Sequence, residues 1–221
     1  VEKALSTLLG SPTEVTGAGR TDTGVHAEYY AAHFDSQAPI AEKNDFLYHL
    51  NALTGPEIAV FDLKAVKDDA HARFDATSRQ YTYHILPQKN PFRRDTAWQY
   101  NVPLDCDAMN RAASVLTRHE DFTTFAKLNS NNKTNICHVR DARWLRLPDG
   151  ELIFKIRSDR FLRNMIRALV GTMVDVGRGK ITADRFEQIL LSRDLSLSSA
   201  SAPACGLFLT DVQYPEEIFK D

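Results

Sequence analysis

The sequence has no long apolar run, no paired cysteine spacing and no excess of positive charge. No apolar segment approaches the roughly 20 residues that span a bilayer, and no charged and then apolar leader opens the chain. We therefore expect a cytoplasmic protein without a membrane partner. The three cysteines, Cys106, Cys137 and Cys205, lie far apart without the spacing of metal ligands. We expect small buried thiols at these positions and no metal site.

The charge balance argues against a protein that binds nucleic acid through bulk charge alone. Lys and Arg number 27 against 29 Asp and Glu, a net charge of −2, whereas such proteins are usually strongly basic. The basic residues are nevertheless clustered, at Arg93-Arg94, Arg140/Arg143/Arg146, Arg157/Arg160/Arg163/Arg167 and Arg178/Lys180. Such clusters are more often solvated surface, so the pattern is compatible with a one-sided basic cleft without requiring one.

Residues 17–27, Gly-Ala-Gly-Arg-Thr-Asp-Thr-Gly-Val-His-Ala, place one carboxylate, Asp22, on a glycine-rich loop. A dinucleotide-binding fingerprint needs glycines at its first, third and sixth positions, and Gly24 comes too late for that spacing. A phosphate-binding P-loop needs Lys followed by Ser or Thr where this chain has Val25-His26. Both nucleotide-binding interpretations therefore fail, and we expect no nucleotide cofactor. An aspartate so near a glycine is, on its own, more often a turn or capping residue.

Four separated segments carry a family resemblance. The loop Gly-Arg-Thr-Asp-x-Gly-Val-His-Ala at 19–27 resembles the signature of the tRNA pseudouridine synthase A family. The other segments are Arg-x-Tyr-x-Tyr at 79–83, Phe-Leu-x-x-Met-Ile-Arg-x-x-Val-Gly at 161–171 and the closing segment 202–209. The loop departs from the family pattern at Thr23, usually alanine, which should alter packing more than chemistry. The resemblance implies isomerisation of uridines in the anticodon arm of tRNA to pseudouridine, without cofactor or metal.

The resemblance also implies roles for particular residues. Asp22 is implied as the catalytic carboxylate, by a chemical route that the sequence leaves open, and Arg167 as its cationic partner. A guanidinium suits this place because it favours the ionised form of a carboxylate in a closed pocket. Tyr81 is implied to stack on the target base, since an aromatic ring stacks on any base and its hydroxyl can still donate. The implied substrate contacts are Arg20, Thr21, Gly24, His26, Arg79 and Leu207.

Several of these residues have a plainer structural interpretation. Alternation after residue 80 puts Tyr81 and Tyr83 on one face of a strand, where tyrosines often pack into a core, and we favour that interpretation for Tyr83. Leu207 is equally compatible with ordinary strand core. Arg163 lies with Arg167 on one flank of a predicted helix, and we interpret it as a surface residue. Arg20 is a candidate to fill the space left when the target uridine flips out of its stack, or to hold the displaced RNA backbone.

Periodicity predicts an α+β fold. Helices are expected at 1–9, 41–53, 105–119 with Asp105 as the N-cap, 161–174, and after Thr182 as the N-cap. Strands are expected at 14–18, 28–34, 58–66, 80–85, 139–147, 151–157 and 207–214, and Pro148-Asp149-Gly150 predicts a hairpin between 139–147 and 151–157. The resemblance implies two ferredoxin-like halves, residues 1–95 and 96–221, with antiparallel sheets flanking a central active-site cleft, and a homodimer. The first helix has no capping residue before it, and members of the family carry a strand ahead of this helix, so the resemblance implies that a first N-terminal strand is missing. The polar run 129–135 is interpreted as a surface loop that could contact RNA.

Two other functions stay open on the sequence. A non-catalytic RNA-binding module is compatible with the arginine clusters and with the missing N-terminal strand. It would bind tRNA in a salt-sensitive way without turnover. A hydrolase would need a second acid beside Asp22, and the sequence singles out none.

Overall fold

Helices and strands alternate along the chain in the computed structural model, which describes residues 1–128 and 133–220. The helices are α1 (Glu2–Leu9), α2 (Lys43–Leu53), α3 (Cys106–Val115), α4 (Met165–Gly177) and α5 (Ala183–Ser192). The strands are β1 (Thr16–Gly17), β2 (His26–Ala27), β3 (Ala32–His33), β4 (Ser78–Leu86), β5 (Trp98–Gln99), β6 (Val139–Arg146), β7 (Leu152–Ser158) and β8 (Leu207–Gln213). This confirms a mixed fold of helices and sheets. Residues 129–132 of the predicted polar loop lie outside the described residues.

The first of two compact units comprises Val1–Gly19, Ala31–Ala76 and the residues from Tyr214 onward. In this unit α1 contacts α2, and β1 pairs antiparallel with β3. The predicted first helix is confirmed, and it ends at Gly10, whose φ of 69° is the left-handed conformation that helix C-caps favour. The buried apolar residues form a small cluster, namely Ala4, Leu5 and Leu50.

The second unit comprises Arg20–Tyr30 and Thr77–Gln213. Its sheet has the strand order β2–β8–β4–β7–β6, and β5 pairs with the end of β4. β2 runs parallel to β8, whereas β8, β4, β7 and β6 are successively antiparallel. The predicted hairpin of β6 and β7 is confirmed. It turns at Gly150, whose φ of 88° is a conformation that residues with a side chain rarely adopt.

One face of this sheet forms the main core with α3, α4 and α5. Alternate residues of β7 point to that face, as expected for the two-residue period of a strand. They are buried in one cluster with residues of the three helices, including Leu152, Phe154, Ile156, Met109, Leu169 and Phe186. Because this core is large and buried, it fixes the positions of the strand and helix ends and of the side chains that they carry.

Side-chain caps at two helix starts confirm the sequence-based predictions. The Asp105 carboxylate accepts a hydrogen bond from the Ala108 amide at 2.9 Å and begins α3. The Thr182 hydroxyl accepts one from the Arg185 amide at 3.1 Å and begins α5. Both residue types satisfy backbone amides that a helix start leaves without an internal partner.

The strand predicted at 58–66 is wrong. Among the described residues of that range, Val66 alone forms a β-bridge, and its partner is Phe219. Val60 is held instead by the side chain of Asn51, which accepts from its amide at 2.7 Å and donates to its carbonyl at 2.8 Å. An apolar run was interpreted as a strand, but local side-chain hydrogen bonds satisfy its backbone without a sheet.

The helix predicted from residue 161 begins only at Met165. Asn164, just before it, has a φ of 63°, a left-handed conformation that interrupts a right-handed helix. Arg163 therefore does not lie on the helix with Arg167, contrary to the prediction. Arg163 lies in the turn that precedes α4.

The two compact units are not continuous along the chain. β4 precedes residue 95, yet it pairs along its length with β7 and β8, which follow that residue. The loop Arg20–Tyr30 belongs to the same unit as these strands. The glycine-rich loop is thus grouped with the large C-terminal part of the chain.

Candidate active site

The glycine-rich loop is anchored on its C-terminal side by β8. In the parallel β2–β8 pair His26 lies opposite Phe208, and the two rings stack with centroids 4.6 Å apart and planes 20° from parallel. The Nε2 atom of His26 lies 2.7 Å from the carbonyl oxygen of Asp95. The Glu28 amide donates to the Leu209 carbonyl at 2.9 Å. These contacts fix the backbone that follows the loop.

A tight turn presents Asp22. The Val25 amide donates to the Asp22 carbonyl at 3.0 Å, which closes the turn. Gly24 has a φ of 84°, and a Cβ atom there would lie 3.3 Å from the Cβ of Ala204. Glycine is required at this position because a side chain would be both strained and crowded.

The Asp22 carboxylate lies between two guanidinium groups. Its Oδ2 accepts from Nη1 of Arg167 at 3.2 Å. Its Oδ1 lies 3.5 Å from Nε of Arg163. The carboxylate side chain is 24% exposed, so it is accessible to a ligand while both of its oxygens face positive charge. Residues 145 positions apart in sequence are thereby brought into one ion pair, as the resemblance implied.

Arg167 is fixed by the segment that runs beside α4. Its Nε donates to the Ala202 carbonyl at 2.7 Å, and the Ala202 amide donates back to the Arg167 carbonyl at 2.9 Å. A Cβ atom at Gly171, one turn further along α4, would collide with the carbonyl oxygen of Ala200. The missing side chain allows this close approach, and the guanidinium is held with its remaining nitrogens toward Asp22.

Tyr81 of β4 lies near the same carboxylate. Its ring meets that of Phe161 edge to face, with centroids 5.3 Å apart and planes 87° apart. Burial raises the pKa of its hydroxyl to about 12; the charges of Tyr30 and Asp22 add to the increase, and that of Arg79 opposes it. The hydroxyl therefore stays protonated at neutral pH and can donate a hydrogen bond beside Asp22.

The other predicted substrate contacts lie in different environments. Arg20 and Thr21 are exposed, and within residues 1–128 and 133–220 the Arg20 guanidinium has no hydrogen bond or ion pair. Arg79 donates from Nη1 to the Asp159 carbonyl at 2.9 Å. Leu207 is 5% exposed and belongs to the main core, so its side chain is not at the open surface of this structure.

Sequence reasoning missed the position of Arg163. It was interpreted as a surface residue on a helix, and it is 62% exposed, yet its Nε faces Asp22. The turn that places Arg163 depends on the left-handed conformation of Asn164, and the helical periodicity of the sequence does not predict that conformation. A non-glycine residue in that conformation often marks strain at a functional site.

A second carboxylate of this unit also has two basic side chains beside it, a histidine and an arginine, and sequence reasoning missed it. Oε1 of Glu151 lies 2.7 Å from Nδ1 of His84 and 3.1 Å from Nη2 of Arg93. Glu151 is 5% exposed. In the sequence, the one feature that distinguishes Glu151 is its position directly after Gly150, the glycine of the hairpin turn. We refer to these three residues as the buried charge cluster.

The described part of the chain contains no group of three or more His, Cys, Asp and Glu side chains that could hold a metal ion. None of its helices combines the length and apolar character needed to cross a bilayer. Cys137 is buried, and burial raises the pKa of its thiol to about 12. At neutral pH it is thus a protonated, inert thiol.

Comparisons with known proteins give one consistent result. A family model described as tRNA pseudouridine synthase matches residues 112–215. A tRNA pseudouridine synthase A from Bacteroides thetaiotaomicron is 46% identical over 226 residues, which cover 99% of this chain and 82% of that protein. Proteins of the same name from Parabacteroides distasonis and Listeria monocytogenes are 46% and 36% identical, covering 99% and 97% of this chain and 86% and 88% of their own lengths.

Proposed function

This chain belongs to the tRNA pseudouridine synthase A family, and on that premise we propose that Asp22 and its neighbours isomerise uridines of tRNA to pseudouridines. The enzyme is an isomerase acting on tRNA. The observation that carries the residue assignment is the ion pair of Asp22 with Arg167, which joins the first and third family motifs at 3.2 Å.

The reaction conserves every atom of the substrate. The N-glycosidic bond of uridine breaks, the uracil turns while it is held, and its C5 atom bonds to the sugar carbon as the C5 proton leaves and N1 gains one. The step needs a carboxylate held ionised and a surface on which the base can turn. In this proposal Asp22 supplies the carboxylate, Arg167 keeps it charged and oriented, and Tyr81 supplies the aromatic surface.

The target base must leave the RNA stack before this chemistry, at a cost of about a few kcal/mol. Arg20 is suited to fill the vacated space. Its side chain is exposed, lies two residues from Asp22 and has no partner within the described residues. Its guanidinium plane can stack on the neighbouring bases while its charge faces the phosphates.

The proposal extends to properties that rest on resemblance in the four motifs. The substrate region is the anticodon arm of tRNA, the protein acts as a homodimer in the cytoplasm, and its fold consists of two ferredoxin-like halves. Thr21, Gly24, His26, Arg79 and Leu207 are the further substrate contacts. In this structure the His26 ring and the positive φ of Gly24 hold the loop in its conformation, and Leu207 would need to be uncovered to reach a base.

A product assay tests the function. A tRNA transcript labelled with tritium at C5 of uridine should release tritium with this enzyme, and the mass of the RNA should otherwise be unchanged. Transcripts with changed anticodon-arm uridines locate the modified positions. Free uracil or a sugar product would contradict the proposal in favour of a hydrolase. Tight, salt-sensitive tRNA binding without tritium release would indicate a binding module instead.

A further inference from the structure

The two guanidinium groups that face Asp22 differ in their exposure to solvent and in the contacts that hold them. Arg167 is 22% exposed, and its Nε is fixed on the Ala202 carbonyl at 2.7 Å. Arg163 is 62% exposed, and its Nε stands 3.5 Å from Oδ1, too far for a good hydrogen bond. Exposed ion pairs of this kind contribute little to stability, because solvent and side-chain entropy offset the attraction.

Arg163 limits access to Asp22 on the side of Oδ1. An attacking or proton-accepting oxygen must come within about 3 to 3.5 Å of its target, and Oδ1 already faces the Arg163 guanidinium at 3.5 Å. Movement of Arg163 leaves Oδ1 fully open to substrate. Arg163 is the weaker and more exposed of the two partners, and it can leave without disturbing α4.

We propose that Arg163 is an exchangeable partner of Asp22. In the free enzyme the Arg163 guanidinium faces Oδ1, and when RNA binds it moves to a phosphate of that RNA. This inference rests on the proposed function. It gives the two arginines separate tasks. Arg167 stays on Oδ2 throughout the reaction, and Arg163 binds substrate and uncovers Oδ1 in the same movement.

The local backbone suits such an exchange. Asn164 is fixed in its left-handed conformation, and its Nδ2 donates to the Ser201 hydroxyl at 2.7 Å. The Arg163 backbone is thus held in place, so that a change of side-chain rotamer suffices for the movement. A phosphodiester offers the guanidinium two oxygens in a planar arrangement, which a single carboxylate oxygen at 3.5 Å does not.

The test measures tRNA affinity against salt concentration and turnover in matched variants. Arg163→Gln removes the charge, Arg163→Lys keeps it, and Arg118→Gln is the control. Arg118 is 59% exposed and lies 3.4 Å from the Glu187 carboxylate, so its ion pair closely matches that of Arg163. Affinity is measured between about 50 and 200 mM salt, and the tritium-release rate is measured with enzyme in excess over tRNA.

Loss of one phosphate contact lowers the slope of log Kd against log salt by about 0.7 to 0.9. We expect that reduction for Arg163→Gln and a slope near the wild-type value for Arg163→Lys and Arg118→Gln. Over the fourfold rise from about 50 to 200 mM salt the wild type should then lose about threefold more affinity than Arg163→Gln. Turnover of Arg163→Gln should fall mainly through a higher KM, whereas Arg167→Gln should lose the rate at saturating enzyme.

Two results would overturn the inference. One is a salt slope for Arg163→Gln that equals that of Arg118→Gln, which would leave Arg163 as an ordinary surface pair. The other is a loss of saturating rate as large as that of Arg167→Gln, which would place Arg163 in the chemical step. Failure of the wild type to release tritium would instead defeat the proposed function, and the salt slopes would still decide whether Arg163 contacts RNA.

Discussion

Two carboxylates in the same compact unit each face two basic side chains, and they differ chiefly in their exposure to solvent. The Asp22 side chain is 24% exposed beside Arg167 and Arg163. The Glu151 side chain is 6% exposed beside His84 and Arg93. A carboxylate between two basic side chains is therefore open to a ligand in one place and closed in the other.

In the proposed function, this difference separates the chemical role of Asp22 from the structural role of Glu151. A buried carboxylate has lost its hydration and depends on its partners, so removing either side is costly. An accessible carboxylate keeps part of its hydration and can exchange partners, which catalysis requires. The buried charge cluster holds β4, the β6–β7 hairpin and the segment after β4 together, whereas Asp22 and its arginines are available to substrate.

Exchanging each carboxylate for its amide should give the largest effect. Asp22→Asn removes the reactive charge and should lower turnover on the order of 10⁴-fold or more, as loss of a nucleophile does in other enzymes. Glu151→Gln, the matched control, should retain turnover in the fraction that folds. Tritium release measures both. Comparable loss in the two variants would abolish the distinction between the sites.

Truncating the buried carboxylate should show the reverse pattern in stability. Glu151→Ala leaves Arg93 and His84 without their shared partner, and breaking a buried pair costs about 3 to 5 kcal/mol. Asp22→Ala breaks partly exposed pairs and should cost no more than about 1 kcal/mol. Urea unfolding followed by circular dichroism gives both values. A larger loss for Asp22→Ala would mean that its loop also supports the fold.

The sequence predicted one of these sites and not the other for physical reasons. Asp22 lies in a contiguous motif, and its Arg167 partner is recognisable on its own from the third motif. The buried charge cluster joins three segments, and none of them carries a local pattern that names its partner. The α+β class, the hairpin and the capped helices followed from periodicity and capping residues. Arg163 and the segment 58–66 did not, because a left-handed residue and side-chain hydrogen bonds override periodicity there.

A conservative change at Arg167 tests whether the geometry of its hydrogen bonds, and not only its charge, is needed for turnover. Arg167→Lys keeps the positive charge, but an ammonium cannot donate to the Ala202 carbonyl and to Asp22 in the same fixed geometry. We expect turnover to fall about 100-fold, the usual cost of losing one fixed donor in an active site. Tritium release at saturating enzyme measures it. Arg93→Lys, the matched change in the buried charge cluster, should leave turnover unchanged.

The smallest effect concerns Tyr81, and it appears only in alkali. Because burial raises the pKa of this hydroxyl from 10.0 to about 12, the folded protein holds the proton more tightly than the unfolded chain does. Its contribution to stability is fully present below pH 10 and is lost as the pH rises through 12. Tyr81→Phe should therefore flatten the fall in urea-unfolding free energy between pH 10 and 11 relative to the wild type.

Below pH 9 the turnover of Tyr81→Phe should follow the same pH profile as that of the wild type, because the hydroxyl stays protonated there. A fall in wild-type turnover near pH 8 that Tyr81→Phe does not show would mean that Tyr81 ionises there, and it would contradict the raised pKa.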